Sequence, residues 1–99
     1  MDAILNKIEG NLTITNDTIL HGMVIGNVEV IGFTVLEISG TINGEMIVNK
    51  GNTVILHGTV NGDVINNGGD LAVYGTINGR LFRENGRTIV ESNAIVRDM

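Results

Sequence analysis

The chain contains no cysteine, no proline and no tryptophan, and only three of its 99 residues are Phe or Tyr. Without cysteine it has neither a disulfide framework nor a thiolate metal site. Few aromatic rings and 14 glycines argue against an ordinary core of helices and sheets, in which aromatic side chains bury large areas. The composition instead favours a fold with tight corners and a core of uniform, medium-sized aliphatic residues.

The sequence also has few basic residues and no long hydrophobic run. The chain has six Lys and Arg residues and eleven Asp and Glu residues, which gives a formal net charge of -5. The basic residues form no cluster that could follow a phosphate backbone. The first residues lack the features of a signal peptide, and no apolar run approaches the roughly 20 residues that span a bilayer. We therefore expect a cytoplasmic protein that binds neither nucleic acid nor membrane.

What the chain does contain is a short repeat. A motif bounded by two glycines occurs four times, at intervals of 18, 18 and 17 residues. The motifs are Gly22-Met23-Val24-Ile25-Gly26, Gly40-Thr41-Ile42-Asn43-Gly44, Gly58-Thr59-Val60-Asn61-Gly62 and Gly75-Thr76-Ile77-Asn78-Gly79. An aliphatic residue also occupies every sixth position from Leu12 to Val60, except at Thr18. Three such spacings make one coil, so the repeat predicts an all-β, three-sided β-solenoid (β-helix) of about five coils, each of roughly 17 to 18 residues.

Counting each coil from the first glycine of its motif separates inward from outward positions. Side chains alternate between faces along a strand, so positions an even number apart face the same way. Four such columns are predicted to form the core, with Asn93 taken as the counterpart of the glycine in the last coil. They are Thr18, Leu36, Val54, Leu71 and Ile89 at position -4; Leu20, Ile38, Leu56 and Val73 at -2; Val24, Ile42, Val60, Ile77 and Ile95 at +2; and Val28, Met46, Val64, Leu81 and Met99 at +6.

The amino-terminal residues 1–10 do not fit these columns. Ile4, Leu5 and Ile8 lie at helical spacing, so a short helix or an irregular segment is expected there. This segment would cap the first coil of a solenoid domain formed by residues 11–99, as terminal segments of repeat proteins commonly do.

The last coil is predicted to be open. Nothing follows Met99 to cover it, so Ile89, Ile95 and Met99 are expected to leave a strand edge and a partly bare apolar floor. This end coil is therefore a candidate assembly surface.

Two outward columns carry polar ladders. Thr41, Thr59 and Thr76 stand at position +1, and Asn43, Asn61 and Asn78 at +3. Stacked amides and hydroxyls can form hydrogen bonds along the axis of a solenoid. These ladders are therefore predicted to be structural, with ligand binding as the alternative.

Other outward columns carry apolar and aromatic residues, which form a candidate lateral interface. Exposed strips of this kind mark interfaces with partners. The predicted members are Ile19, His21, Ile55, His57, Tyr74 and Phe82. The alternative is that the amino-terminal segment folds over the strip, or that a column is misplaced.

The two histidines do not predict catalysis. His21 and His57 share a column two coils apart, which at about 4.8 Å per coil separates them by roughly 10 Å, too far to ligate one zinc ion. Ser39 lies between them, but no acid stands behind either imidazole. We therefore expect no enzyme activity, no metal or other cofactor and no small-molecule substrate.

The glycine motifs resemble those of bactofilins, the polymer-forming cytoskeletal proteins of bacteria. The likeness covers about residues 11 to 96 and is closest at Ile55-Leu56-His57-Gly58-Thr59-Val60-Asn61-Gly62-Asp63-Val64 and at Val73-Tyr74-Gly75-Thr76-Ile77-Asn78-Gly79-Arg80-Leu81. It implies a right-handed, three-sided β-helix that assembles end to end through its terminal coils without nucleotide. Bactofilins are typically longer, with flexible tails, which this sequence almost lacks.

Two functions remain open from the sequence. The first is a homo-oligomeric scaffold whose end coils stack and give non-polar filaments or dimers. The second is a small acidic binding protein that neutralises a cognate partner, in the manner of an immunity protein, through its lateral strip. Its partner would have a basic surface, because opposite charge speeds encounter.

Overall fold

The computed structural model describes residues 1–98 and shows parallel strands joined by short corners, without a helix. The strands are β1 (Asp2–Ile4), β2 (Lys7–Glu9), β3 (Leu12–Ile14), β4 (Thr18–Leu20), β5 (Met23–Ile25), β6 (Val28–Val30), β7 (Val35–Ile38), β8 (Thr41–Asn43), β9 (Met46–Asn49), β10 (Thr53–Leu56), β11 (Thr59–Val60), β12 (Val64–Val73), β13 (Thr76–Val90) and β14 (Ile95–Asp98). The predicted fold, a β-solenoid of about five coils, is confirmed.

Each coil has three sides, and the strands of one side stack on one another. Side 1 contains β1, β4, β7 and β10, side 2 contains β2, β5, β8, β11 and β14, and side 3 contains β3, β6 and β9. The long strand β12 passes from side 3 to side 1, and β13 passes over all three sides. The chain therefore winds through five complete coils and two further sides.

The predicted core columns stack in register through the middle of the chain. Val24 pairs with Ile42, Ile42 with Val60, and Val60 with Ile77, and all four side chains are fully buried. The columns at -4, -2 and +6 are likewise buried from the second coil to the fifth. A fifth inward column, at +8, adds Ile14, Val30, Val48 and Asn66. Each aliphatic side chain is thus shielded from water by the coils before and after it.

Glycine at the start of each motif permits this close stacking. A Cβ atom on Gly58 would lie 1.9 Å from the carbonyl oxygen of Gly40, and a Cβ atom on Gly40 would lie 1.9 Å from that of Gly22. No side chain fits at such distances, so these corners require glycine. In the first coil the equivalent residue is Asn6, which has no earlier coil beneath it and needs no glycine.

The amino-terminal residues form a coil of their own, so the expected helical or irregular segment is wrong in its local structure. Strand β1 pairs with β4, and β2 pairs with β5. Ile4 stands in the column of Leu20, and Ile8 stands in the column of Val24. Residues 1–10 still lie at the end of the stack, but as strands of the first coil.

The predicted register of the last coil is wrong by one residue. Thr76 pairs with Ile95 and Ile77 with Val96, because the corner at Ser92 and Asn93 holds two extra residues. On side 1, likewise, Leu71 pairs with Thr88 and Ala72 with Ile89, so Ile89 stands in an outward column. Inward positions are taken instead by the residues Thr88, Val90 and Val96. Met99, the third predicted member of the floor, lies outside the described residues.

The shorter spacing in the middle of the chain is absorbed at the corner between sides 3 and 1. Asn67 lies opposite Asn49, 18 residues earlier, but Asp70 lies opposite Thr53, only 17 residues earlier. The lost residue therefore falls within the corner that β12 crosses, where the ladders shift register between Asn66 and Asp70. At this corner the buried amide of Asn52 accepts a hydrogen bond from the Thr34 N–H at 2.8 Å.

Candidate interaction surfaces

The predicted lateral interface is divided between two sides of the solenoid. Ile19 and Ile55 lie in one outward column of side 1, where Glu37 stands between them. Phe82 lies on side 3, in register with Ile65. The structure therefore brings most of the six residues to one region but places Phe82 elsewhere.

The histidine column runs along the corner between sides 1 and 2 and forms two separate pairs. The imidazole Nδ1 of His21 lies 2.8 Å from the Ser39 hydroxyl oxygen. The rings of His57 and Tyr74 are stacked, with centroids 4.9 Å apart and planes inclined by 22°. Tyr74 remains 45% exposed. The second pair thus presents a flat aromatic surface beside Ile55.

The described residues hold no group of three or more His, Asp or Glu side chains placed to bind a metal ion. Nor do residues 1–98 include a helix that could cross a bilayer.

The asparagine ladder on side 2 is confirmed. Asn61 donates its side-chain amide to the Oδ1 of Asn43, and Asn78 donates to the Oδ1 of Asn61 at 2.7 Å. Arg97 continues the ladder by donating from Nε to the Oδ1 of Asn78 at 3.0 Å. These amides are exposed but satisfy one another, which favours the structural interpretation of this column.

A second row of side-chain oxygens joins the coils at the corner between sides 2 and 3. Asn27 Oδ1 accepts a hydrogen bond from the Glu45 N–H at 2.9 Å, and Asp63 Oδ1 accepts one from the Arg80 N–H at 2.8 Å. Asn11 does the same for the Asn27 N–H. Asp63 therefore has a structural role at this corner, where its carboxylate joins two consecutive coils.

At the two ends of the stack the inward side chains are less completely buried than in the middle coils. The N-terminal end is the first coil, whose inward aliphatic residues are Ile4, Ile8, Leu12 and Ile14. The C-terminal end is the last turn. Its inward residues are the charged Arg83 and the uncharged Leu81, Thr88, Val90 and Val96. Most of these side chains are only partly buried, and none of residues 1–98 covers either end.

Sequence reasoning missed most of these end residues, although a signal was present. Ile4, Ile8, Leu12 and Ile14 are separated by even numbers, as are Thr88, Val90, Ala94 and Val96. The rule that even spacing means a shared face applied to them as it did to the middle coils. It was obscured because the two end coils lack the flanking glycine motif.

Comparison with protein-family models, curated proteins and solved structures finds no match to this chain. The resemblance of its glycine motifs to bactofilins therefore stays a prediction, while the solenoid fold rests on the stacked strands.

Proposed function

We propose that the protein is a non-catalytic β-solenoid scaffold that self-associates through its terminal coils, as the bactofilin resemblance implies. The observation that carries this proposal is the pair of ends, where partly buried aliphatic columns meet unpaired strand edges. Ile8 at one end and Val96 at the other pack against the core on one side only. Each would become fully buried if another coil were added.

The strand edges add a second contribution to self-association. Strands β1, β2 and β3 each pair with one later strand, and β14 pairs only with β13. Their remaining N–H and C=O groups face outward along the axis, where they form a template for pairing with another chain. Apolar burial and backbone hydrogen bonds therefore favour the same contact.

The test compares two neighbouring substitutions in the last strand. Val96 faces inward and Ile95 faces outward, so Val96→Glu places a charge in the proposed contact and Ile95→Glu places the same charge on the lateral surface. Static light scattering and sedimentation of the unsubstituted chain should give a mass that rises with concentration. Val96→Glu should weaken that rise, and Ile95→Glu should leave it in place. A chain that stays at 10.6 kDa at high concentration contradicts the proposal.

A second candidate function is the acidic lateral binder, favoured by the stacked pair of His57 and Tyr74 on an acidic molecule. Tyr74→Ala should abolish capture of a basic partner in a pull-down and leave the melting temperature nearly unchanged, because the residue lies at the surface, outside the core, and is 45% exposed. Thr59→Ala, on the neighbouring side, is the matched control. Normal capture by the Tyr74→Ala chain would exclude this corner as the binding surface.

A further inference from the structure

Side 3 carries an apolar column on its outward face that is unbroken through three coils. Ile47 pairs with Ile65, and Ile65 pairs with Phe82, and all three side chains are half-buried. The outward columns of the other two sides are interrupted or polar over the same coils. On side 1, Glu37 and a small alanine stand before and after Ile55, and on side 2 the threonine and asparagine ladders take the outward positions. Side 3 is therefore the most continuous apolar face of the middle coils.

A shallow depression lies at each end of this column. The first, of about 340 Å³, is lined by Ile65, Asn67, Phe82 and Glu84. The second, of about 320 Å³, lies toward the earlier coils, and its lining includes Glu29 and Ile47, which pair with each other. Each depression thus combines a glutamate with an apolar side chain. This combination suits a lysine or arginine, because its aliphatic stem can lie on the apolar surface while its charged group meets the carboxylate.

The charge around the apolar column is mainly negative. Four acidic side chains surround it, those of Glu29, Glu45, Asp63 and Glu84. Within residues 1–98, the basic residues of side 3 and its corners are Arg80, which pairs with Asp98 at 3.0 Å, Arg83, which faces inward, and Lys50. The basic groups therefore offset the carboxylates only in part, and the partner that complements this face is basic.

The spacing along the column favours a helical partner over an extended one. Successive members lie about 4.8 Å apart, so Phe82 stands roughly 10 Å from Ile47 along the solenoid axis. Two turns of an α-helix rise about 11 Å, whereas two same-face steps of an extended chain cover about 13 Å. A helix that lies along the axis can therefore set one apolar side chain per turn against each member of the column, as partners that dock through a helical face do.

We infer that side 3 binds a cationic amphipathic helix of another protein, laid along the solenoid axis. Its apolar side chains contact Ile47, Ile65 and Phe82, and its lysine and arginine side chains meet the flanking carboxylates. For the kind of partner this rests on the second candidate function, and it adds a surface separate from the corner of His57 and Tyr74. The contact leaves both ends of the solenoid free.

The probe for this surface is a synthetic peptide of leucine and lysine, with leucine at alternating intervals of three and four residues. At a length of about 14 residues such a peptide is barely helical on its own in water. Residues 1–98 of the protein contain no helix, so helix formation by the peptide is visible in far-ultraviolet circular dichroism. Titration with the protein should induce a saturable helical signal. A scrambled peptide of the same composition, and one with glutamate in place of lysine, should show none.

Two matched substitutions locate the binding surface. Ile65→Gln removes the middle of the apolar column, and Ile55→Gln makes the same change at a half-buried outward isoleucine of side 1. Ile65→Gln should weaken binding of the peptide by at least about tenfold, because the contact loses a buried isoleucine, whereas Ile55→Gln should change it by less than about twofold. Equal effects at the two positions, or a helical signal with the scrambled peptide, overturn the inference.

Removal of charge gives a second test that leaves the apolar column intact. Glu45→Gln with Asp63→Asn removes two carboxylates, and the new asparagine can keep the hydrogen bond from the Arg80 N–H, as Asn27 does for the Glu45 N–H. The double substitution should weaken binding by about threefold or more and reduce its dependence on salt. Unchanged affinity overturns the inference. Binding that is lost in the Tyr74→Ala chain but kept in the Ile65→Gln chain also overturns it, and leaves the second candidate function in place at the histidine corner.

Discussion

The middle coils and the end coils are built from the same kinds of residues but differ in how completely they are buried. Val24, Ile42 and Val60 have no exposed surface, because each has a neighbour of similar size above and below. Ile8 and Val96, in the same column at the two ends, have a neighbour on one side and remain partly exposed. Burial in a solenoid is thus set by the number of adjacent coils, and position along the axis matters more than residue type.

The same comparison explains where glycine is required. Gly58 and its counterparts lie against a carbonyl oxygen of the preceding coil, whereas Asn6 begins the column and has no coil beneath it. At the other end, Ala94 takes the glycine position because the extra residues Ser92 and Asn93 widen the corner. The ends tolerate side chains that the middle coils exclude.

The largest expected effect is that of Gly58→Ala. The new Cβ atom would meet a backbone oxygen at 1.9 Å, and the coils on both sides leave the backbone no room to move, so we expect a loss of more than about 4 kcal/mol in the free energy of unfolding. Chemical denaturation followed by circular dichroism measures it. Asn6→Ala, in the same column, should change stability by less than about 0.5 kcal/mol. Equal effects at the two positions would show that close stacking does not decide the need for glycine.

An intermediate effect is expected for truncation of the +2 column. Ile42→Ala removes a fully buried side chain and leaves a cavity between two coils, which costs about 2–5 kcal/mol in unfolding free energy. Ile8→Ala should cost roughly half as much or less, because the side chain is already partly exposed and the first coil can relax toward solvent.

Urea titrations of the two variants, with fluorescence of Tyr74 and circular dichroism as separate probes, test this difference. The two probes also reveal whether an end coil unfolds before the rest, as the nearest-neighbour energetics of repeat proteins allows. An Ile8→Ala chain that loses as much stability as the Ile42→Ala chain would contradict the idea that burial falls off at the ends.

The sequence predicted the middle coils because their spacing is regular, and it failed where the spacing changes. From Thr18 to Ile77 the columns follow from intervals of 17 and 18 residues, and the shorter interval changes the spacing only at a corner. Neither the 16-residue spacing of Ile8 and Val24 nor the two extra residues at Ser92 and Asn93 leaves a signature, because corners face solvent and accept many sequences.

The polar core residues were a second failure of prediction, with a different cause. Asn52 and Asn66 are buried, yet each occurs in a turn-rich sequence that is typical of an exposed corner. Their amides bond backbone groups of several residues at once, and such a role depends on the three-dimensional path of the corner. The exposed asparagines at +3, by contrast, were predictable because they recur once in every motif.

The smallest of the three effects contrasts these two kinds of asparagine. The side chain of Asn52 accepts from the Thr34 N–H and donates to the carbonyl oxygens of Val30 and Asn49 at 3.1 and 3.0 Å. Asn52→Ala leaves the Thr34 N–H and the Val30 carbonyl without this partner, whereas the Asn49 carbonyl keeps the backbone N–H of residue 52 at 3.2 Å. Because the two groups lie in a buried corner, the expected cost is about 2–3 kcal/mol in unfolding free energy. Asn61→Ala removes only side-chain hydrogen bonds of the exposed ladder, where water replaces them, so its cost should be below about 0.5 kcal/mol.

Amide hydrogen exchange at Thr34 gives the sharper measurement, because the Asn52→Ala chain should lose protection at that one N–H before global unfolding. If Asn61→Ala proves as costly as Asn52→Ala, then the exposed ladder contributes as much to the solenoid as its buried corners do.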